Sequence, residues 1–253
     1  MKLSWNWLSE YVDLSALSGP AELAEKLTDL GLEVESVIDQ SEGLEKVILA
    51  QVLTQEKHPG ADRLRVCKVA NGKGEIPIVC GAQNFEAGDY VALAQVGAVL
   101  PNGMKMKASK IRGEESQGML CSESELGLAD SSEGILVVFS GKNEKSGRPA
   151  LGTAIAEVLE LNDIVFELSV TPNRADALSH IGVARDLAAI LSVDLKRPAV
   201  QQKECLEKGK IQTQVHEHGG NQFFGGLIEG IQVGPSPDWM VRRLESVGLR
   251  SVN

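Results

Sequence analysis

Two stretches of the sequence combine cations with turn residues in a way that could hold phosphate groups. The first, HPGADRLRVCKV at 58–69, is a tight turn followed by a strand. Because side chains alternate between the two faces of a strand, Arg63 and Arg65 are expected on one face. Their guanidinium groups could bind phosphate oxygens through several fixed N–H donors. A solvated strand face explains the same pattern, so the residues leave both interpretations open.

The second stretch, PNGMKMKASKIRG at 101–113, contains four cations and no acidic residue. The cations are Lys105, Lys107, Lys110 and Arg112. Gly113 and Gly118 allow the backbone to come close to a ligand, and Ser109 and Ser116 add hydroxyl groups. We predict that this stretch forms a positive edge that binds a polyanion, with an ordinary solvated loop as the alternative.

Other chemistries are poorly supported by the residue patterns. Cys121 is followed by Glu123 and Glu125, but no histidine that could serve as its base is near it in sequence. His216 and His218 alternate on a predicted strand, and two ligands alone are a weak metal signal. No Gly-rich nucleotide loop occurs. We therefore predict no catalytic residue and no metal site, and we expect the four cysteines to be buried free thiols.

Composition indicates a globular protein with uneven charge. The 253 residues are 43% hydrophobic and carry a net charge of −10, which argues against a surface that binds phosphate everywhere. Residues 39–150 hold 13 basic and 15 acidic side chains, a net charge of −2, whereas residues 1–38 have a net charge of −5. No apolar run approaches the length of a membrane span and no secretory signal is present, so we expect a cytoplasmic protein.

The middle of the chain is predicted to be all β. Five short apolar runs are punctuated by turn residues such as Asn71-Gly72. They are VILAQVLT (47–54), RLRVCKVA (63–70), IPIVC (76–80), YVALAQVG (90–97) and ILVVF (135–139). Five or so strands in about a hundred residues fit an OB-fold barrel. The block has only three aromatic residues, too few to stack successive bases, so an RNA ligand would be read through its backbone and shape.

The flanking blocks are predicted to complete each other. Residues 1–38 contain a helix starting at Pro20 and a strand, LEVESVI. Residues 151–198 contain a strand, DIVFELSV, and a helix over 176–191 with an apolar stripe. Neither block can form a core alone. We therefore predict an α+β multidomain chain, in which an OB-fold barrel (39–150) is inserted into a small discontinuous α/β domain (1–38 with 151–198).

The last block, 199–253, is predicted to begin a mixed α/β domain. IQTQVHE and FFGGLIEGIQVG are strand-like, and a helix is expected with Ser236 as N-cap and Pro237 at its first position. Two strands and one helix are an incomplete unit. We therefore expect the sequence to be the front portion of a longer polypeptide.

Several of these strings together resemble one protein family. HPGADRLRVCKV, IVCGAQN, AVLPNGMKMKASKIRGEESQGMLCSESELGL and TPNRADALSHIGVARDLAAI resemble the β subunit of bacterial phenylalanyl-tRNA synthetase, in order and over essentially the whole chain. The first and third of these strings also resemble free-standing tRNA-binding OB modules. TPNRADALSHIGVARDLAAI after the barrel favours the β subunit.

The resemblance implies a function for the chain. It implies an (αβ)₂ heterotetramer with the α subunit, which joins phenylalanine to tRNA(Phe) using ATP and Mg²⁺ bound outside this segment. It also implies that the β subunit edits mischarged tyrosine in a domain that only begins near Lys210. The expected RNA contacts are Arg63, Arg65, Lys105, Lys107, Lys110 and Arg112. The alternatives are an assembly scaffold without RNA contacts and a free-standing tRNA-binding module.

Overall fold

The computed structural model describes residues 1–142, 147–199 and 228–253, and the chain forms two compact units. Unit 1 comprises Met1–Ser36 and Phe166–Asn253, and unit 2 comprises Val37–Val165. The predicted insertion of a barrel into a discontinuous domain is confirmed. The second boundary of the inserted unit lies at Val165 rather than at 150, because the following segment belongs to the barrel: Leu49 N–H donates to Thr153 O at 2.8 Å.

Unit 2 is built on an antiparallel sheet that nearly closes into a barrel. The strands follow the order β10-β6-β3-β4-β5, with β9 paired to β6. Gln117 N–H donates to Pro77 O at 2.9 Å and so links the β9 edge to β5. The bounds are β3 Val47–Lys57, β4 Arg65–Ala70, β5 Glu75–Cys80, β6 Tyr90–Gln95, β9 Gly118–Leu120 and β10 Val137–Phe139.

Two central strands of the barrel are buried on both faces. Alternate residues of β3 and β6, such as Val52 and Leu93, enter the barrel core together with Phe85. The intervening residues, such as Val47 and Ala92, pack in a second cluster with helix α3, Ile155–Val158. Burial on both faces explains the nearly continuous apolar runs of these strands.

A small hairpin lies outside the main path of the barrel sheet. Strands β7 (Ser109–Ile111) and β8 (Glu114–Ser116) pair only with each other in a two-stranded sheet. The buried Ser116 anchors the base of the hairpin, because its Oγ accepts the Val79 N–H at 3.1 Å and donates to Gly118 O at 3.0 Å. The hairpin therefore extends from the barrel as a separate element with an ordered base.

The described part of unit 1 combines a three-stranded sheet with four α-helices. The sheet order is β1-β11-β2. The strands are β1 Lys2–Ser4, β2 Glu33–Asp39 and β11 Ile164–Ser169, and the helices are α1 Trp5–Ser9, α2 Pro20–Asp29, α4 His180–Leu191 and α5 Asp238–Ser246. α2 begins at Pro20 and is followed by Gly31 at φ +79°, as its sequence predicts.

The helix predicted over 176–191 is interrupted near its start. A 3-10 turn spans Ala175–Ala177, and α4 begins only after Ser179, whose Oγ accepts the Gly182 N–H at 3.2 Å. A Cβ at Gly182 would lie 1.7 Å from the Asp176 carbonyl oxygen, so only glycine fits there. Arg174 donates to both carboxylate oxygens of Asp176 and to Leu30 O. The TPNRADALSHIG string is therefore a hydrogen-bonded junction rather than the first turns of one continuous helix.

The last block is only partly described. Residues 200–227, which include Cys205, His216, His218 and the predicted strand IQTQVHE, lie outside the described residues. The described residues 228–234 of FFGGLIEGIQVG form no strand, so that part of the prediction is wrong. Ile228, Ile231 and Val233 in this segment are exposed, so its apolar pattern does not reflect a packed strand face. The predicted helix is present as α5, starting one residue later than expected.

Candidate nucleic-acid interface

The first two lysines of the 101–113 stretch flank a partly buried methionine. The chain turns at Gly103 (φ +82°), and the returning segment pairs with 97–100: Met106 N–H donates to Ala98 O at 2.8 Å and Leu100 N–H to Met104 O at 2.9 Å. Met106 packs against the second core cluster, whereas Lys105 and Lys107 on either side are exposed. Strand-like alternation thus fixes the backbone and directs both ammonium groups to solvent.

The other two cations lie on the β7–β8 hairpin. Arg112 (φ +50°) and Gly113 (φ +101°) form its two-residue turn, and both adopt the left-handed region that such a hairpin turn requires. Lys110 lies opposite Glu115 in the hairpin register, and the Glu115 carboxylate accepts a hydrogen bond from Gln117 Nε2 at 3.0 Å. The returning strand therefore adds acidic groups beside the cations.

The predicted phosphate contacts of this stretch are all available to a ligand. We call Lys105, Lys107, Lys110 and Arg112 the basic rim. All four are exposed, and within 1–142, 147–199 and 228–253 none of them forms an ion pair or a side-chain hydrogen bond. Cations without internal partners keep their full capacity to bind anions, so the rim is the strongest candidate polyanion surface of unit 2.

The two arginines near β4 differ from each other. Arg63 is exposed, as expected of a ligand contact. Arg65 is half-buried, and its guanidinium donates from Nε and Nη2 to Gln83 Oε1 at 2.9 and 2.6 Å and from Nη1 to Gln55 Oε1 at 2.8 Å. Arg65 therefore joins β3, β4 and the segment after β5. Both residues remain predicted RNA contacts, but the guanidinium of Arg65 also has a structural task that the sequence did not reveal.

His58 connects the two basic stretches, which sequence reasoning missed. Its side chain is 2% exposed. Its Nδ1 accepts the Gly60 N–H at 2.9 Å, and its Nε2 lies 3.2 Å from Ile111 O in the hairpin. The turn residues HPG were interpreted only as a turn, because the partner of Nε2 lies 53 residues further along the chain.

An open cleft of about 740 Å³ lies beside the rim lysines. Its walls combine methionines, hydroxyl groups and backbone, and they include Lys105, Lys107, Met104, Met119, Ser109 and Gly118. Nearby, Ser122 and Glu125 form a capping box: the Glu125 carboxylate accepts the Ser122 N–H at 2.7 Å, and Glu125 N–H donates to Ser122 Oγ at 3.3 Å. Glu125 thus has a local structural role.

The barrel cysteines are buried free thiols, as predicted. Burial raises the pKa of the Cys67 and Cys121 thiols to about 12, and it also raises the pKa of Cys80. A thiol with a raised pKa is a poor nucleophile at neutral pH. Among the described residues no three metal-ligating side chains come together, and no helix there could span a membrane.

A comparison of the sequence with known protein families finds a match that lies over the barrel. Residues 47–145 match the family described as "Putative tRNA binding domain". The matched range covers the barrel strands, the hairpin and the basic rim. The barrel, which has the architecture of an OB-fold, is therefore similar in sequence to domains of this family.

Comparison of the whole chain confirms the predicted resemblance. The chain is 49% identical over 256 residues to the phenylalanine–tRNA ligase β subunit of Geobacter metallireducens and 49% identical over 259 residues to that of Geobacter sulfurreducens. Each match covers 100% of this chain and 31% of the relative, so the chain spans about a third of the length of these proteins. A solved structure of the C-terminal domain of Plasmodium vivax p43 matches 33% of this chain and 48% of its own chain, at 26% identity and a TM-score of 0.26.

Proposed function

We propose that this chain is the part of a phenylalanine–tRNA ligase β subunit that contributes tRNA binding and subunit assembly. The proposal rests on the similarity of the whole chain to part of such subunits and on the match of residues 47–145 to a tRNA-binding family. The observation that carries the RNA-binding half is the basic rim: four exposed cations that form no ion pair or side-chain hydrogen bond with the described residues around them.

The chemistry of the rim fits contact with a phosphate backbone. Lysine and arginine that bind phosphates release condensed counterions, which gives affinity without base specificity. The described part of unit 2 places no row of aromatic side chains beside these cations: Tyr90 and Phe139 pack edge to face 6.2 Å apart, and Phe85 is in the core. We therefore propose that the barrel reads the shape and backbone of a structured RNA.

The proposal extends to the partners of the complete protein. The partners are the catalytic α subunit, with which the β subunit forms an (αβ)₂ heterotetramer, and tRNA(Phe). ATP and Mg²⁺ bind to the α subunit, and the enzyme works in the cytoplasm. Unit 1 supplies the assembly surface in this proposal. Its Trp239 and Leu178 side chains remain exposed in the chain by itself, as residues at a subunit interface would.

A charge-removal variant tests the RNA-binding half. Replacing all four rim residues by alanine in the full chain should raise the Kd for tRNA(Phe) at least about tenfold. It should also lower the salt slope of log K by about three, since each phosphate contact contributes roughly 0.7–0.9. Filter binding between 50 and 200 mM salt measures both quantities.

A matched variant separates this proposal from a scaffold without RNA contacts. It removes four cations outside the rim, namely Lys26, Lys73, Lys142 and Arg185, so that the net charge changes equally. Only the rim variant should lose salt-dependent binding. If the rim variant binds as tightly as the parent chain with an unchanged slope, the rim is idle and the RNA contacts lie elsewhere. A parent chain without salt-dependent binding of tRNA(Phe) would support the scaffold interpretation.

A further inference from the structure

We propose that His58 is a positioning residue that joins the two basic stretches into one RNA-binding surface. The inference rests on the proposed function and adds a residue that touches no RNA itself. His58 lies in the turn before β4, is 2% exposed and carries one hydrogen bond on each ring nitrogen.

The two hydrogen bonds of His58 define a single neutral tautomer. The Gly60 backbone N–H can only donate, so Nδ1 accepts and carries no proton. The Ile111 carbonyl oxygen can only accept, so Nε2 carries the proton and donates. The imidazole therefore acts as a two-ended bridge with one fixed orientation.

Each end of this bridge holds a segment that carries predicted RNA contacts. His58 N–H donates to Leu64 O at 3.0 Å, and this bond closes the turn that presents Arg63. Ile111 immediately precedes Arg112 at the tip of the hairpin and follows Lys110. The hairpin has its own anchor at Ser116, but that anchor is at its base. Among the described residues, the His58–Ile111 bond is the side-chain hydrogen bond that ties the tip half of the hairpin, with its two cations, to the barrel.

Ordering these cations before binding should strengthen RNA binding. A hairpin of two three-residue strands is marginally stable by itself, because few bonds oppose its conformational entropy. Without the bridge, the hairpin tip must become ordered when RNA binds. The entropic cost of this ordering offsets the gain from the two phosphate contacts of the tip, so these contacts are lost and affinity falls. The effect should appear mainly in the contribution of Lys110 and Arg112.

Two substitutions each keep one end of the bridge. In His58→Asn the side-chain oxygen can still accept the Gly60 N–H, in the manner of an Asx turn, but nothing reaches Ile111. In His58→Gln the amide nitrogen can still donate to Ile111 O, but the acceptor that Nδ1 provides for the Gly60 N–H is lost. The pair therefore separates the closure of the turn from the link to the hairpin.

The test measures tRNA(Phe) binding and amide hydrogen exchange on the full chain. His58→Asn should lower the salt slope by about two, the loss expected from two phosphate contacts. Adding Lys110→Ala and Arg112→Ala to it should change little further, whereas the same pair in the parent chain should cost about two units of slope. His58→Gln should retain most of the slope, and amides of 109–116 should exchange faster in His58→Asn than in His58→Gln.

The outcomes distinguish the inference from the proposed function. A His58→Asn chain with the parent's slope and the parent's hairpin exchange overturns the positioning role. A parent chain without salt-dependent tRNA binding overturns the proposed function instead. In that case the exchange comparison still decides whether His58 orders the hairpin: equal rates in the two variants would show that it does not.

Discussion

At the scale of single residues, the interface contains cations of two kinds. The side chains of the basic rim form no ion pair or hydrogen bond with the described residues and present only their charge to solvent. Arg65, in contrast, uses three of its donors on Gln55 and Gln83. Any phosphate that binds Arg65 meets a guanidinium that is already oriented, with two remaining N–H donors.

This difference predicts opposite effects on stability for two neighbouring arginines. Arg65→Ala leaves two glutamine side chains without their donor and should destabilise unit 2 by about 1–2 kcal/mol. Arg63→Ala removes an exposed side chain that forms no hydrogen bond or ion pair with the described residues, and it should change stability by less than about 0.5 kcal/mol. The rate at which the buried thiols of Cys67, Cys80 and Cys121 become alkylated, in a Cys205→Ser background, reports opening of the barrel. Equal labelling rates for the two variants would contradict a structural role for Arg65.

The sequence predicted the exposed cations of the candidate interface, but it did not predict the hydrogen bonds of His58 and Arg65. The exposure of the rim was predictable, because four cations within a Gly-rich stretch cannot be buried without partners. The roles of His58 and Arg65 were not predictable, because the bonds to Ile111, Gln83 and Gln55 join residues 53, 18 and 10 positions apart. Such pairs are fixed by the barrel topology, and no local pattern encodes them.

At the scale of elements, α1 and α4 are joined by one buried histidine. His180, the first residue of α4, accepts the Ser4 N–H on Nε2 at 3.0 Å. The Trp7 ring stacks on its imidazole at a centroid distance of 4.1 Å. Burial, assisted by the nearby Arg243 charge, lowers the pKa of His180 from 6.5 to about 4. The His180 ring is therefore neutral at pH 7 when unit 1 is folded.

The lowered pKa predicts that unit 1 loses stability in mild acid. Between pH 6.5 and about 4 the unfolded chain binds a proton at His180 that the folded chain does not. The free energy of unfolding should therefore fall by about 1.4 kcal/mol for each pH unit in this window and change no further from this group below it. Urea unfolding followed by tryptophan fluorescence measures this in unit 1 alone, since Trp5, Trp7 and Trp239 all lie there.

His180→Gln is the control for this prediction. Glutamine can accept the Ser4 N–H but does not titrate, so the steep fall should flatten while unit 1 remains folded. A pH dependence that persists unchanged in this variant would assign it to other groups.

The long elements were predictable and the short ones were not. Segments of five or more residues that are rich in apolar side chains predicted β3 to β6 and β10. The signal is continuous in β3 and β6 because both faces of these two strands are buried. The strands β7, β8 and β9 have three residues each, and β7 and β8 are largely polar, so no periodicity reveals them. The strand predicted at residues 228–234 is absent, and the apolar side chains Ile228, Ile231 and Val233 are exposed rather than packed.

At the scale of the whole molecule, the two ends of the inserted segment lie next to each other in space. Gln40 N–H donates to Asp163 O at 3.1 Å, so the two ends of the inserted segment are held together. Discontinuity in sequence therefore does not separate the two parts of unit 1 in space. The prediction of an insertion succeeded because neither flanking block had enough apolar surface for a core of its own.

Adjacent ends predict that unit 1 folds without the barrel. Replacing residues 41–162 by a short Gly-Ser linker should leave a chain with the tryptophan emission and the acid sensitivity of the parent. The loop-closure cost is small, because the linker only has to join two hydrogen-bonded positions. Loss of a cooperative tryptophan transition in the shortened chain would show that unit 1 depends on the inserted segment.

The separate pairing of the β7–β8 hairpin also bears on how such a protein can change over generations. Substitutions at its tip alter no strand pair of the six-stranded sheet and no residue of the barrel core. Charge at the tip can thus be gained or lost by point mutation without a folding penalty. Lineages descended from one ancestral barrel are therefore free to diverge in the charge that the hairpin tip presents to solvent while the barrel itself stays the same.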